Sequence, residues 1–216
     1  MNDTELRQHV IDELEFEPSL DAANIGVAAE RGVVTLTGHV SSYSQKVAAE
    51  RATWRVEGVK AIAQEIQVRL PGDRQLADDE IARRAINILA WDDFVPKDAV
   101  KLRVASGWIT LTGAVTWNYQ RNAAESQVRK LSGVAGVSND ITLVPQVSST
   151  DVRQRIVNAL KRNAEVEAER IHVDVRENGV VKVDGVVDDW DERQAVERAV
   201  WSAPGVHSVD ARLRIA

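Results

Sequence analysis

Residues 32–46 read GVVTLTGHVSSYSQK, residues 107–121 read GWITLTGAVTWNYQR, and residues 179–193 read GVVKVDGVVDDWDER. Each stretch opens on a glycine (Gly32, Gly107, Gly179) and carries a second six residues later (Gly38, Gly113, Gly185). A third glycine follows twenty residues further on (Gly58, Gly133, Gly205), and valine comes after it every time. Spacing held constant in three copies is the mark of a duplicated supersecondary unit. Working outward, the copies occupy the whole chain of 216 residues, with expected boundaries at 1–72, 76–146 and 149–216. The segments LPGDRQ and VPQVSS read as linkers between them. A unit of this size buries a small core and is only marginally stable alone.

Periodicity assigns the elements. After the first glycine, Val34, Leu36 and Val40 alternate with Thr35 and Thr37; Ile109, Leu111 and Val115 do the same, as do Val181, Val183 and Val187. This is a strand with one buried face. A shorter alternation precedes it (Ile25, Val27, Ala29; Val100, Leu102, Val104; Ile171, Val173, Val175), joined through ERG, ASG or RENG as a hairpin. Gly38, Gly113 and Gly185 fall in phase with the buried residues, which predicts a backbone packed closely over them, expected to be a helix. The next segment changes to helical spacing: Ala49, Ala52, Thr53, Val56; Ala124, Gln127, Val128, Leu131; Val196, Ala199, Val200, Ala203. Ser42 with Gln45 and Asp189 with Glu192 are capping signatures at its start. The Gly-Val pair ends it, and a last strand follows through Ile66, Val68 and Leu70, with counterparts at Ile141 and Leu143 and at Leu213 and Ile215. A further helix precedes each hairpin, with stripes Leu6, Val10, Leu14; Ile81, Ala85, Leu89; Val152, Ile156, Leu160. The expected fold class is α+β: three tandem αββαβ units, each a small three-stranded sheet with two helices on one face.

With those residues in view, the chain resembles the BON domain, a family named for bacterial osmotic-stress and nodulation proteins. The resemblance rests on Gly38, Gly113 and Gly185, on Glu50, Glu125 and Glu197 in the second helix, and on Gly58-Val59, Gly133-Val134 and Gly205-Val206 after it. Asn139 fits the asparagine before the last strand, where Gln64 and Ala211 depart from it. The resemblance implies a non-catalytic, stress-related module that binds phospholipid surfaces. Two alternatives come with it: a soluble, chaperone-like protein that binds partners or clients, and a cytosolic potassium sensor.

The bulk numbers narrow the classes. A net charge of −6, with no third of the chain positive, argues against a nucleic-acid binder. Zero cysteines exclude disulfides and thiol chemistry. The N-terminal MNDTELRQHVIDELEFEP carries acids where a secretory leader carries Lys or Arg. The expected location is therefore cytoplasmic, with the periplasm as the alternative if a leader has been removed. No stretch approaches the roughly 18 apolar residues of a membrane-spanning helix. His9, His39, His172 and His207 sit at unrelated repeat positions without metal-ligand spacing, and no phosphate loop, dinucleotide fingerprint or serine elbow is present. The expectation is no enzyme, no cofactor and no metal.

Candidate binding residues are the aromatics of the strand-to-helix turn: Tyr43, Trp117, Tyr119 and Trp190. They suit a lipid headgroup interface, or they staple helix starts and pack between units. The third turn, DDWDE, would be repelled by an anionic surface. Trp91 and Phe94, in AWDDFVP, are read as closing the bottom of a small core, with an exposed hydrophobic contact as the alternative. Trp54 and Trp201 are equivalent positions expected to keep one edge exposed. The acid runs Asp78-Asp79-Glu80, Asp92-Asp93 and Asp188-Asp189 lack the ligand spacing of a calcium loop, and the first and last suit helix N-termini.

Overall fold

The computed structural model describes residues 2–72, 76–144, 152–163, 166, 168–176, 179–204 and 206–216. Half of the first expected linker (73–75), most of the second (145–149), part of the third hairpin turn (177–178) and Gly205 lie outside the described residues. By contacts the chain divides into two compact units, one of residues 1–93, 101–112 and 124–140, the other of 94–100, 113–123 and 141–216.

The first repeat runs α1 (Asp3–Phe16), β1 (Ile25–Glu30), β2 (Val33–Val40), α2 (Tyr43–Arg55), β3 (Ala61–Gln64) and β4 (Gln67–Val68). The second runs α3 (Asp78–Trp91), β5 (Val100–Ala105), β6 (Trp108–Val115), α4 (Asn118–Val128) and β7 (Gly136–Leu143). The third runs α5 (Val152–Arg162), β8 (Ile171–Val175), β9 (Val180–Val187), α6 (Trp190–Trp201) and β10 (Ser208–Ile215). This is the expected α+β architecture. In every sheet the glycine-bearing strand is central, with the orders β1-β2-β3, β5-β6-β7 and β8-β9-β10. β1 pairs with β2 antiparallel from Ile25 opposite Gly38 to Glu30 opposite Val33, while β3 and β4 both pair with β2 in parallel. The third sheet repeats this, antiparallel between β8 and β9 and parallel between β9 and β10.

The stripes read from the sequence are the core. Leu6, Val10 and Leu14 of α1 pack with Val27, Val34, Leu36 and Val40 of the sheet and with Ala49 and Ala52 of α2. In the third repeat Val152, Ile156 and Leu160 pack with Val173, Val181, Val183, Val187, Val196 and Val200. In the first and third repeats both helices therefore lie on the face where the strand's apolar residues point. Helix starts are satisfied as the sequence implied. Ser42 Oγ accepts from the Gln45 amide at 3.3 Å, and Asp189 Oδ1 from the Glu192 amide at 2.7 Å while Glu192 Oε2 accepts from the Asp188 amide.

Three expectations change. Gly38 does not lie under a helix: it is exposed, with φ +103°, and an added Cβ would strike the carbonyl oxygen of Asn24, the residue just before β1. Gly113 (φ +131°) stands in the same relation to Ala99. The close approach is made by the hairpin's own incoming chain. The last strand also starts earlier than the alternation showed, at Ala61, Gly136 and Ser208, and in the first repeat it is interrupted between Gln64 and Gln67. Finally, Trp91 and Phe94 do not close a core. They are 87% and 63% exposed, and Val95 is the buried residue of that segment.

The acid runs have structural partners. Asp78 accepts from the amides of Ser106 and Gly107 at 2.7 and 2.8 Å, pinning the β5–β6 turn to the start of α3. Asp3 accepts from the Arg31 amide in the first repeat in the same way. Asp79 and Glu80 pair with Arg83, Glu80 also with Arg84, Asp188 with Arg170, and Asp92 accepts from Gln127. Among the described residues no cluster of three or more His, Asp or Glu is placed to hold a metal ion.

Candidate aromatic groove

The start of α4 breaks the repeat. Where the sister copies place Ser42 and Asp189 as N-caps, the second copy has Trp117. Gln120 Oε1 accepts from the amides of Thr116 and Trp117, both at 3.1 Å, as Gln45 and Glu192 accept from Ser41 and Asp188 in the sister copies, and the Gln120 amide that a capping side chain would have taken donates to the Trp117 carbonyl at 3.1 Å. The cap position itself carries an indole in place of a side-chain acceptor. Two residues on, Ser44 and Asp191 are matched by Tyr119. Trp117 and Tyr119 stack with ring centroids 6.4 Å apart at 28°, and Phe94 meets Tyr119 edge-on at 6.0 Å and 88°, both favoured geometries for aromatic pairs. Tyr119 remains 53% exposed.

Trp117 and Tyr119, the latter backed by Phe94, border a groove of about 930 Å³ between the first turn of α4 and the length of α6. Trp117 and Tyr119 line one side, Trp190 and Trp201 the other, with Asn118, Asn122, Arg121, Gln194, Glu197 and Arg198 among them. The guanidinium of Arg193 lies 5.1 Å from the Trp190 ring centroid, a cation–π contact. Glu197 accepts from Arg193 at 3.1 Å. The structure thus gathers Phe94, Trp117, Tyr119 and Trp190 and adds Trp201, for which the sequence implies only an exposed edge. Its signal was the repeat alignment itself: Trp201 ends the helix that Trp190 begins. Groups on this surface offer ring faces, amides and guanidinium donors. The described residues show no nucleophile paired with a base in the groove.

Tyr43 is placed elsewhere. It lies half-buried in the other compact unit, with a backbone hydrogen bond from Val137. Burial first, and then the Glu125 carboxylate, push its phenol above the usual tyrosine value of 10.0. Next to it, Ser44 Oγ donates to the Arg129 carbonyl at 3.1 Å, so the start of α2 is joined to the second repeat. A tyrosine whose pKa is raised on folding contributes stability that is complete below the unfolded value and lost as pH rises above it. Alkaline unfolding of this junction is therefore expected to set in above about pH 10. Tyr43→Phe should shift that limb upward in a pH series of thermal melts while leaving neutral stability within about 1 kcal/mol. Trp91, in the same unit as Tyr43, stands out at the end of α3. The family residues Glu125 and Asn139 meet, Asn139 Nδ2 donating to Glu125 Oε2 at 3.0 Å. Where Gln64 replaces that asparagine, its Nε2 is buried with no hydrogen-bond partner among the described residues.

Among the described residues no helix is long and apolar enough to cross a membrane. The family model for the BON domain matches residues 2–69, 77–145 and 148–216. Osmotically-inducible protein Y of Escherichia coli (strain K12) is 30% identical over 145 residues, 65% of this chain and 72% of that protein. Two solved structures of CdsD, a structural protein of the type III secretion system of Chlamydia trachomatis, align over 98% and 100% of the chain at 13% identity and a TM-score of 0.27, a likeness too slight to carry an inference. With its glycine-centred strands, its Gly-Val helix ends and three successive matches, the chain belongs to the BON-domain family.

Proposed function

We propose that this chain is a non-catalytic, osmotic-stress-related binding protein that associates with phospholipid surfaces through Phe94, Trp117 and Tyr119, with Trp190 across the groove. The observation that carries the reading is the exposed three-ring cluster built where the sister repeats place a capping Ser or Asp. An aromatic with one face packed and one edge in water is suited to the headgroup boundary. Arg121 and Arg198 line the same groove and offer donors to headgroup phosphates. The stress-related part of the reading is supported by the similarity to Osmotically-inducible protein Y. The chain is read as three modules, at 1–72, 76–146 and 149–216, of which the second and third supply the groove.

With a net charge of −6, attachment depends on ring insertion rather than bulk attraction, so vesicle flotation should survive physiological salt. Burying the exposed parts of Phe94 and Tyr119 contributes roughly 1 kcal/mol each. The double variant Phe94→Ser/Tyr119→Ser is accordingly expected to bind vesicles about thirtyfold more weakly, with an unchanged thermal midpoint because both side chains are exposed. Failure of the wild-type chain to float with either neutral or anionic vesicles would remove the reading in favour of a protein partner.

A further inference from the structure

In the compact unit that contains Tyr43, a second pocket of about 350 Å³ lies between α2 and the residues following α4. Four cations line it, Arg51, Arg55, Arg129 and Lys130, in a chain whose net charge is negative. Arg55 is neutralised, since Nε donates to Glu13 at 2.7 Å and Nη2 to Glu17 at 2.9 Å. Glu17, the one carboxylate lining the pocket, also accepts from Ser19 Oγ at 2.7 Å. No ion pair to Arg51, Arg129 or Lys130 is found among the described residues. Arg129 is half-buried, and its guanidinium is held below the ordinary arginine value, first by burial and then by the Arg51 charge, against weaker attraction from Glu125.

A helix C-terminus favours cations, and this accounts for Arg129 and Lys130 following α4, at a few tenths of a kcal/mol each. It does not account for Arg51 on the facing helix, close enough to repel Arg129. Like charges held together beside a cavity are stabilised by an anion between them. Two guanidinium forks match tetrahedral oxyanions bidentately, and an ammonium adds a third charge. A monoanionic carboxylate would leave most of that charge unmet, whereas a doubly charged phosphomonoester would meet most of it, and the pocket leaves room for a substituent.

We propose that the pocket binds a phosphate group, free or as the phosphomonoester of a larger molecule, with Arg51 and Arg129 as the paired donors and Lys130 as the third cation. The site does not depend on the aromatic groove or on the lipid reading.

The test is calorimetric titration of the full chain with inorganic phosphate and with glycerol phosphate, in chloride buffer of matched ionic strength, alongside flotation with phosphatidic acid vesicles. The wild-type chain should bind at least one of these probes saturably. Arg51→Gln and Arg129→Gln should each weaken that binding about tenfold, and Lys130→Gln less. Binding of the soluble probes would identify a soluble ligand. Binding confined to the vesicles, lost in Arg51→Gln but kept in Phe94→Ser/Tyr119→Ser, would identify a lipid headgroup. Should Arg129→Gln fail to fold, Arg51→Gln decides, because Arg51 is exposed and joins no described ion pair. Absence of saturable binding to all three probes, or binding indifferent to Arg51→Gln, overturns the proposal.

Discussion

Gly38→Ala is expected to unfold the first repeat at temperatures where the unaltered chain is intact, with a loss of about 3 kcal/mol. Two effects combine. At φ +103° a residue with a Cβ is disfavoured, and the added methyl would collide with the Asn24 carbonyl oxygen, a backbone atom. That oxygen cannot easily withdraw. It ends a single helical turn, Ala22–Asn24, held by Asp21, whose carboxylate accepts from the Ala23 amide at 3.2 Å. β1 begins at the next residue, with Ile25 in register with Gly38 itself. Relief of the clash therefore requires breaking the hairpin. For a unit of this size the loss corresponds to a fall of more than about 10 °C in its melting transition, readable by circular dichroism. Gly113→Ala should reproduce it in the second repeat, where the obstructing oxygen belongs to Ala99. A shift of only a degree or two in both variants would mean that the glycines do not set the hairpin.

Ile156→Ala should have an effect of similar size, 2–5 kcal/mol, by another mechanism. α5 has eleven residues and is held to the third sheet by Val152, Ile156 and Leu160, with Ile156 in the middle and fully buried. Val157 packs beside the stripe and Arg153 Nε donates to the Val173 carbonyl at 3.0 Å, but the three buried residues are the main apolar contact, and an isolated helix of that length is not stable in water. Truncation leaves a cavity under the centre of the helix. Urea unfolding should show an early transition for the third repeat, while Ile156→Val costs only about 1 kcal/mol. Equal effects of the two substitutions would show that the helix is held by something other than this stripe.

What was legible in advance was whatever depends on neighbours along the chain. The alternation at Val34, Leu36 and Val40 and the helical stripe at Leu6, Val10 and Leu14 report burial directly, and both are core. The caps at Ser42 and Asp189 need only the residue three positions on. What was not legible depends on contacts distant in sequence. The approach to Gly38 comes from Asn24, fourteen residues back across a hairpin, and no periodicity distinguishes that from a helix. The first half of each last strand is hidden because AIAQ, GVSN and SVDA lack clean alternation. Trp91 and Phe94 read as core because they are large and apolar; their exposure follows from Val95 filling the place instead. For the groove, Trp117 and Tyr119 could be singled out as aromatics, but their meeting with Phe94 and the part of Trp201 could not. The cations of the phosphate pocket come from α2 and from residues about seventy-five positions later, and nothing in either segment announces the other.

Amide hydrogen exchange with and without vesicles, at physiological salt, tests the membrane-surface reading most directly, because it reports both whether lipid binds and where. Protection on adding vesicles is predicted for the segments around residues 94–98 and 116–123 and for the first turn of α6, and it should disappear in Phe94→Ser/Tyr119→Ser. Exchange unaltered by vesicles, or protection confined to segments away from these rings, would contradict it.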